Sequence, residues 1–482
     1  MSTIRAAVSI HRVELVAAFG LVCLYLAVMN GHFLSIDGLM MWRQALSIVH
    51  HHSFSFVPQI WWGGFITTSN RGIGASLEYI PVLFVFPWLG PYTPTLSPKY
   101  DFGLLYSDRL YAVAGAPIWV LVTATTAFVV GLVTRALGAE RRAALWAMAL
   151  YGLGSPALAA SRGDFPQPLV AITWITAVYA SLRLSQGGGR RWLWVCAACI
   201  FYGVLVRPLE GSLLVPAVVT LLTSEFRLKP WRILVPLGAW MSAVVVTLLV
   251  NWARFGSPFD FGYGSLSWTT PPWVGFPYAL LSPGRGELWA FPGMVLAVFG
   301  TIFLWSRGQR LAALVLAGLP AILFVESCSF VGWIPGWDWG FRLFQPGLPL
   351  VAVLAGIGAL HLPRRLSAWL PGLLLVGGLL WNIPAVTTDL LGGYASTYDN
   401  IGSWSKLDAY PPIGAWKFLH HIRPQSAADA STVDIIWFRA ARITHWASLL
   451  PFVLLLVASA ALWASTVRAE LGRPLFRLRD GR

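Results

Sequence analysis

A carboxylate placed just past a long apolar stretch can take a proton from a hydroxyl at a membrane face. The segment Ser35-Ile-Asp-Gly-Leu-Met-Met-Trp-Arg-Gln44 supplies one in Asp37. Behind it, Leu39, Met40, Trp42, Ala45, Leu46 and Val49 recur at the spacing of an amphipathic helix lying on a membrane surface. A second acid, Asp164, stands in the tiny loop Ser161-Arg-Gly-Asp164. It reads either as a helix cap ahead of Phe165-Pro166 or as an acid that assists Asp37, and the two roles are compatible. Arg207, Arg285 and Arg342 each fall at a predicted membrane edge beside Pro or Gly. Singly, each suits an interfacial anchor. Together, on the face of the two acids, they suit a phosphate, because guanidinium binds phosphate bidentately and stays charged when partly desolvated. Arg285 lies in Ser282-Pro-Gly-Arg-Gly286, whose glycines let backbone N–H groups approach an anion. Glu78, Arg71 and Tyr263 complete the expected substrate-binding set. As a plain structural residue, Glu78 is an acid in the first turn of a helix.

These residues need a scaffold, and the composition indicates which kind. The 482 residues are 57% hydrophobic and 11% charged, with a mean hydropathy of +0.66. Soluble domains carry about 25% charged residues, so the chain reads as an all-α polytopic membrane protein. Spans of about 20 apolar residues fall near 13–33, 109–134, 143–160, 166–183, 192–206, 211–224, 232–252, 287–305, 311–330, 343–361, 368–386 and 447–467, twelve in all. The segment 77–90 is apolar but short and holds Pro81 and Pro87, so it reads as a surface or re-entrant helix.

The net charge of +14 is topology rather than a nucleic-acid footprint. On the twelve-span reading one side carries 20 basic residues against 5 acidic ones, and the other 14 against 15. By the positive-inside rule the first side is cytoplasmic and holds both termini. The polar residues of 34–108, 253–286 and 387–446 then lie outside, and the chemistry with them. Four cysteines make no disulfide framework, and Cys196-x-x-Cys199 sits inside an apolar run without a redox context. The triplet His50-His51-His52 lacks the spacing that puts two histidines on one helix face. No GxxxxGK[ST] motif falls in an inner loop, which leaves ATP-driven transport unsupported.

The order of these features resembles a known layout. An acid directly after the first span, a long first outer loop with surface helices, and a second acid after the third span are the pattern of the GT-C glycosyltransferases. Within them the chain looks most similar to the bacterial branch related to protein O-mannosyltransferases and the lipid A aminoarabinose transferase. Asn251-Trp-Ala-Arg-Phe-Gly-Ser-Pro-Phe-Asp-Phe-Gly-Tyr263, Leu281-Ser-Pro-Gly-Arg-Gly286 and Trp337-Asp-Trp-Gly-Phe-Arg-Leu-Phe-Gln-Pro346 add to the resemblance, which covers about residues 10–440. It implies a GT-C-like module over 1–386, a small outer domain over 387–446, and a last span with a basic tail over 447–482.

The resemblance also implies a bacterial plasma-membrane enzyme with its site facing outside. A sugar passes with inversion from a polyprenyl-phosphate donor to a glycan, lipid or protein acceptor. Asp37 matches the family's general base, Asp164 the second acid, and Glu78 a first-loop acid sometimes associated with a metal. No cofactor is required by this reading; a divalent metal at Glu78 and Asp37 is the one it leaves open. The loop reads Ile36-Asp37-Gly38 where many relatives carry a paired Asp-Glu. Rival readings are a transporter or flippase of lipid-linked glycans, which needs charges near the midplane of its spans, and a glycan polymerase or ligase.

Overall fold

Long apolar runs bounded by Gly, Pro and arginine become helices here. A computed structural model describes residues 11–56, 59–61, 64–66, 68–86, 111–223, 231–262, 268–283, 286–330, 339–389, 411–420, 433–443 and 446–471. The first described helix is α1 (Arg12–Val28), followed by α2 (Ile36–His51), α3 (Ile73–Leu77) and α4 (Ile80–Val85). A single π turn, Tyr111–Gly115, opens α5 (Ala116–Ala136), and α6 (Arg141–Gly152), α7 (Gln167–Ser185), α8 (Arg191–Val206) and α9 (Pro208–Thr223) follow. Then come α10 (Trp231–Phe255), α11 (Pro272–Leu281), α12 (Leu296–Ser306), α13 (Arg310–Ser329), α14 (Leu348–Leu360), α15 (Leu370–Thr387), α16 (Pro411–Phe418), α17 (Ile436–Ile443) and α18 (Leu450–Leu471). Among the described residues the only strands are a small antiparallel hairpin, Gln59–Trp61 against Gly64–Ile66, with Gln59 opposite Ile66.

Seven described helices are long and apolar enough to cross a membrane, and four shorter apolar ones accompany them. The protein is therefore a multi-pass membrane protein whose described residues are predominantly helical, as composition predicts. The spans expected from hydropathy are less regular than twelve uniform rods. α1 stops at Val28, and residues 29–35 run on as buried chain. The span over 143–160 breaks after Gly152, in a turn through Ser155 and Pro156. The span over 287–305 breaks before Pro292, which removes a backbone donor and starts a 3₁₀ turn. Of the segment 77–90, residues 77–86 are described, and there α3 and α4 are two short helices joined at Glu78 and Tyr79.

Close helix contacts rest on small residues. A Cβ on Gly358 would lie 2.0 Å from the Leu296 carbonyl oxygen, and one on Gly300 the same distance from that of Leu354. α12 and α14 can touch backbone to backbone only because both positions are glycine. At one end of the bundle, buried Glu14 meets Arg141 at 3.4 Å and Arg135 at 3.8 Å, while Arg141 reaches Glu470 at 3.3 Å. These four belong to the set expected on the cytoplasmic side, and the fold does gather them together. Of 387–446, the described residues are 387–389, 411–420, 433–443 and Trp446.

Candidate active site

Ser35 starts the helix that carries Asp37. Its backbone is extended, and its hydroxyl oxygen accepts the Gly38 N–H at 3.0 Å, a standard N-cap. Asp37 then sits in the first turn, where the helix dipole favours a negative charge. The apolar stripe behind it forms the expected amphipathic helix, but that stripe packs on protein rather than lying open to lipid. Met41, Trp42 and Ala45 are fully buried, and Trp42 meets Tyr79 and Tyr111 edge-on at 5.1 and 5.6 Å. The helix ends at the histidine triplet, with His52 left-handed at φ 50°.

Two guanidiniums close on Asp37. Arg71 donates from Nη2 to Oδ1 at 2.6 Å, and Arg342 places Nη1 3.4 Å from Oδ2. All three side chains are 16–17% exposed. Burial by itself raises the Asp37 carboxyl, but Arg71, Arg342 and the more distant Arg207 outweigh it and hold the group below the usual carboxylate range. Asp37 is therefore an ionised carboxylate held by two guanidiniums.

Each arginine is placed by a specific support. The Arg71 loop hangs from the Asp37 helix itself, since Gln44 accepts from the Thr68 hydroxyl at 2.9 Å and the Ser69 N–H at 3.1 Å. Arg254 donates to the Arg71 carbonyl at 3.0 Å from the end of α10. Arg342 stacks its guanidinium 4.5 Å above the Phe165 ring. Just before it, the Phe341 N–H donates to buried Glu287 at 3.1 Å. Arg207 is ion-paired with Glu210 one turn on, at the start of α9.

Asp164 does not cap the helix that follows it; α7 starts at Gln167 with no side-chain cap. Its carboxyl turns instead to the chain entering the Asp37 helix. Oδ2 accepts from Leu34 N–H at 2.9 Å and Ser35 N–H at 3.4 Å, and Oδ1 faces the Ser35 hydroxyl at 2.8 Å. The side chain is fully buried. Burial pushes its carboxyl up to about 7, against the hydrogen bonds from Ser35 and Leu34 that favour the charged form. Gly38 makes this approach possible, because a Cβ there would lie 2.1 Å from Asp164 Cγ. Gly38→Ala is accordingly expected to cost about 1–3 kcal/mol, read as a lower Tm in detergent together with lost activity.

The raised Asp164 carboxyl gives a pH prediction. In the unfolded chain it titrates near the ordinary 3.8, so the folded state holds the proton more tightly up to about 7. This contribution to stability is complete below the unfolded value and is lost as pH rises through the folded one. The Tm should fall between pH 5 and pH 8, and fall less in Asp164→Asn. That variant, a neutral isostere able to keep the Leu34 and Ser35 bonds, should retain more activity than Asp164→Ala.

Other expected site residues fare differently. The Glu78 carboxyl oxygens are enclosed and make no hydrogen bond among the described residues, and burial holds that carboxyl well above the usual range. No hydrogen bond or ion pair thus links Glu78 to Asp37 among the described residues. The possible metal pairing of Glu78 with Asp37 finds no support in the donors. No three of His, Cys, Asp and Glu come together among the described residues, and the guanidiniums on Asp37 would repel a divalent cation. Arg285 and Tyr263 lie outside the described residues. Ser35, Gln44, Phe165, Arg254 and Glu287 were not anticipated. Only Ser35 had a readable signal, as a serine immediately before an amphipathic run.

No protein-family model and no curated protein matches the chain. Solved structures do. The crystal structure of ArnT from Cupriavidus metallidurans in the apo state is similar over 95% of this chain and 76% of that one, at 16% identity and a TM-score of 0.51. The same protein bound to undecaprenyl phosphate gives 16% identity over the same shares, with a TM-score of 0.50. The apo Archaeoglobus fulgidus oligosaccharyltransferase is similar over 89% of this chain and 57% of that one, at 13% identity and a TM-score of 0.44. The fold is thus shared with the ArnT structures, in line with the GT-C-like architecture that the resemblance implies.

Proposed function

We propose, for a chain with the GT-C fold, that it is a membrane glycosyltransferase moving a sugar from a polyprenyl-phosphate donor to an extracytoplasmic acceptor, with Asp37 as general base. The observation that carries this is one ionised carboxylate held between Arg71 and Arg342. Guanidiniums placed this way also suit a phosphate ester, which they bind bidentately. That ArnT binds undecaprenyl phosphate on a similar fold supports the same donor class here.

The chemistry follows from these groups. The acceptor hydroxyl gives its proton to Asp37 while its oxygen bonds to the anomeric carbon. The bond from that carbon to the phosphate oxygen breaks on the opposite face, which inverts the configuration. Its electron pair leaves on the phosphate, a good leaving group that needs no general acid. Arg71 and Arg342 meet the growing charge, and such preplaced cations stabilise the transition state more than the ground state. Donor binding also prepares the base. A phosphate that draws the guanidiniums toward itself frees a carboxylate oxygen and raises its basicity, since burial then acts less opposed. Asp164 keeps the start of the helix in place. Arg207 adds positive charge on the phosphate side, and the sequence assigns Arg285 and Tyr263 to substrate binding. The site faces the outside of a bacterial plasma membrane, and the termini lie in the cytoplasm.

Binding tests this reading. Purified protein in nanodiscs is expected to bind polyprenyl phosphate, and Arg71→Ala/Arg342→Ala to lose most of that binding. Equal affinity in the double variant would remove the phosphate site from this place.

A further inference from the structure

Residues 29–35 lead from α1 to the Asp37 helix as a non-helical, almost fully buried stretch. One side of it is held by Asp164 through Leu34 and Ser35. The other side is held by His32. The His32 ring stands between the Phe33 carbonyl, 2.8 Å from Nδ1, and Asp434 Oδ1, 2.7 Å from Nε2. Asp434 comes from the far end of the chain, 402 residues away.

Asp434 is itself fixed from several directions. Arg162 pairs with its carboxylate and donates to its carbonyl at 2.6 Å. Arg439 reaches Oδ1 at 2.7 Å, and the Asp434 N–H donates to the Thr387 carbonyl at 2.8 Å. Arg162 also donates to the Ala385 carbonyl at 2.9 Å. The exposures are 3% for His32, 1% for Arg162 and 0% for Asp434. Arg162 and Asp164 belong to one four-residue loop. That loop therefore grips the entry to the Asp37 helix twice, directly through its aspartate and indirectly through its arginine, Asp434 and His32.

Buried ionic groups of this kind are poor sources of stability, since the loss of hydration offsets the attraction. They do fix geometry, and a base must be held within about 0.5 Å of its productive position. We infer that Asp434 is a positioning residue for the chemistry at Asp37, acting through His32. Asp434 touches no substrate in this scheme. Its task is to lock the chain three to five residues ahead of the base. The inference rests on the proposed transferase reaction for its kinetic part and on geometry alone for the clamp.

The test separates the two. His32→Leu breaks the link while the Arg162–Asp434–Arg439 group stays paired, so folding is preserved. It is expected to lower kcat by about 10- to 100-fold with the KM for a polyprenyl-phosphate sugar changed by less than about twofold. His32→Gln, whose amide can replace the Nε2 donor to Asp434, is expected to recover most of the loss. In His32→Leu, hydrogen–deuterium exchange at Leu34 to Gly38 should quicken while α5 and α7 exchange as in the wild type. Unchanged kcat overturns the inference even if exchange quickens, because the clamp is then only structural. Unchanged exchange overturns it whatever the rate. If wild-type protein releases no polyprenyl phosphate, the transferase reading fails, and exchange alone decides the clamp.

Discussion

Asp37→Asn is expected to lower kcat by about 10²- to 10⁴-fold, the usual weight of a general base, with the protein still folded and in the membrane. Asparagine keeps the shape and can accept from Arg71, but it cannot take the acceptor's proton. The swap also removes the anion between Arg71 and Arg342, which sit 2.6 and 3.4 Å from its oxygens. Two partly buried guanidiniums then lose the Asp37 charge and favour an incoming phosphate more strongly. The KM for the lipid-linked donor should therefore stay level or fall while kcat collapses. That split marks loss of chemistry rather than of binding. Steady-state kinetics after size-exclusion confirmation of folding read it, and a variant with wild-type kcat would remove Asp37 from the base role.

Arg342→Ala is expected to act chiefly on the donor. Losing a hydrogen bond to a charged group costs about 1.5–3 kcal/mol, or about 10- to 100-fold in KM for the polyprenyl-phosphate sugar. A second effect comes through Asp37. Its carboxyl lies below the usual range because the cations outweigh burial. With Arg342 gone, burial is less opposed and the carboxyl titrates higher. The acid limb of the kcat/KM profile should thus move to higher pH than in the wild type. Unchanged KM and an unmoved limb would reduce Arg342 to an interfacial anchor stacked on Phe165.

Much of this was legible in the residues because charges are scarce in an apolar chain. Asp37, Asp164 and Arg342 stand out at span ends, and topology puts them on one face. Pairings across the bundle are a different matter. Arg71 is 34 residues from Asp37, and Leu34 130 from Asp164, and no local pattern selects such partners; helix packing does. Of the two roles open to Asp164, the cap drew on its neighbours Phe165 and Pro166, while Gly38 leaves room for the distant contact that the fold makes. Periodicity foretold the helix after Asp37, yet it cannot tell whether an apolar stripe meets lipid or Tyr79 and Tyr111. Helix breaks at Pro156 and Pro292 had readable causes, but average hydropathy smooths over them. His32 and Asp434 gave no signal: each is an ordinary polar residue until the fold brings them together.

The central claim is most directly tested by incubating the purified protein with a panel of polyprenyl-phosphate sugars, radiolabelled in the sugar, and candidate acceptors. The account predicts release of polyprenyl phosphate matched by labelled product of inverted anomeric configuration, both absent with Asp37→Asn. Transbilayer movement of the intact labelled lipid, with no polyprenyl phosphate released and no dependence on Asp37, would contradict it.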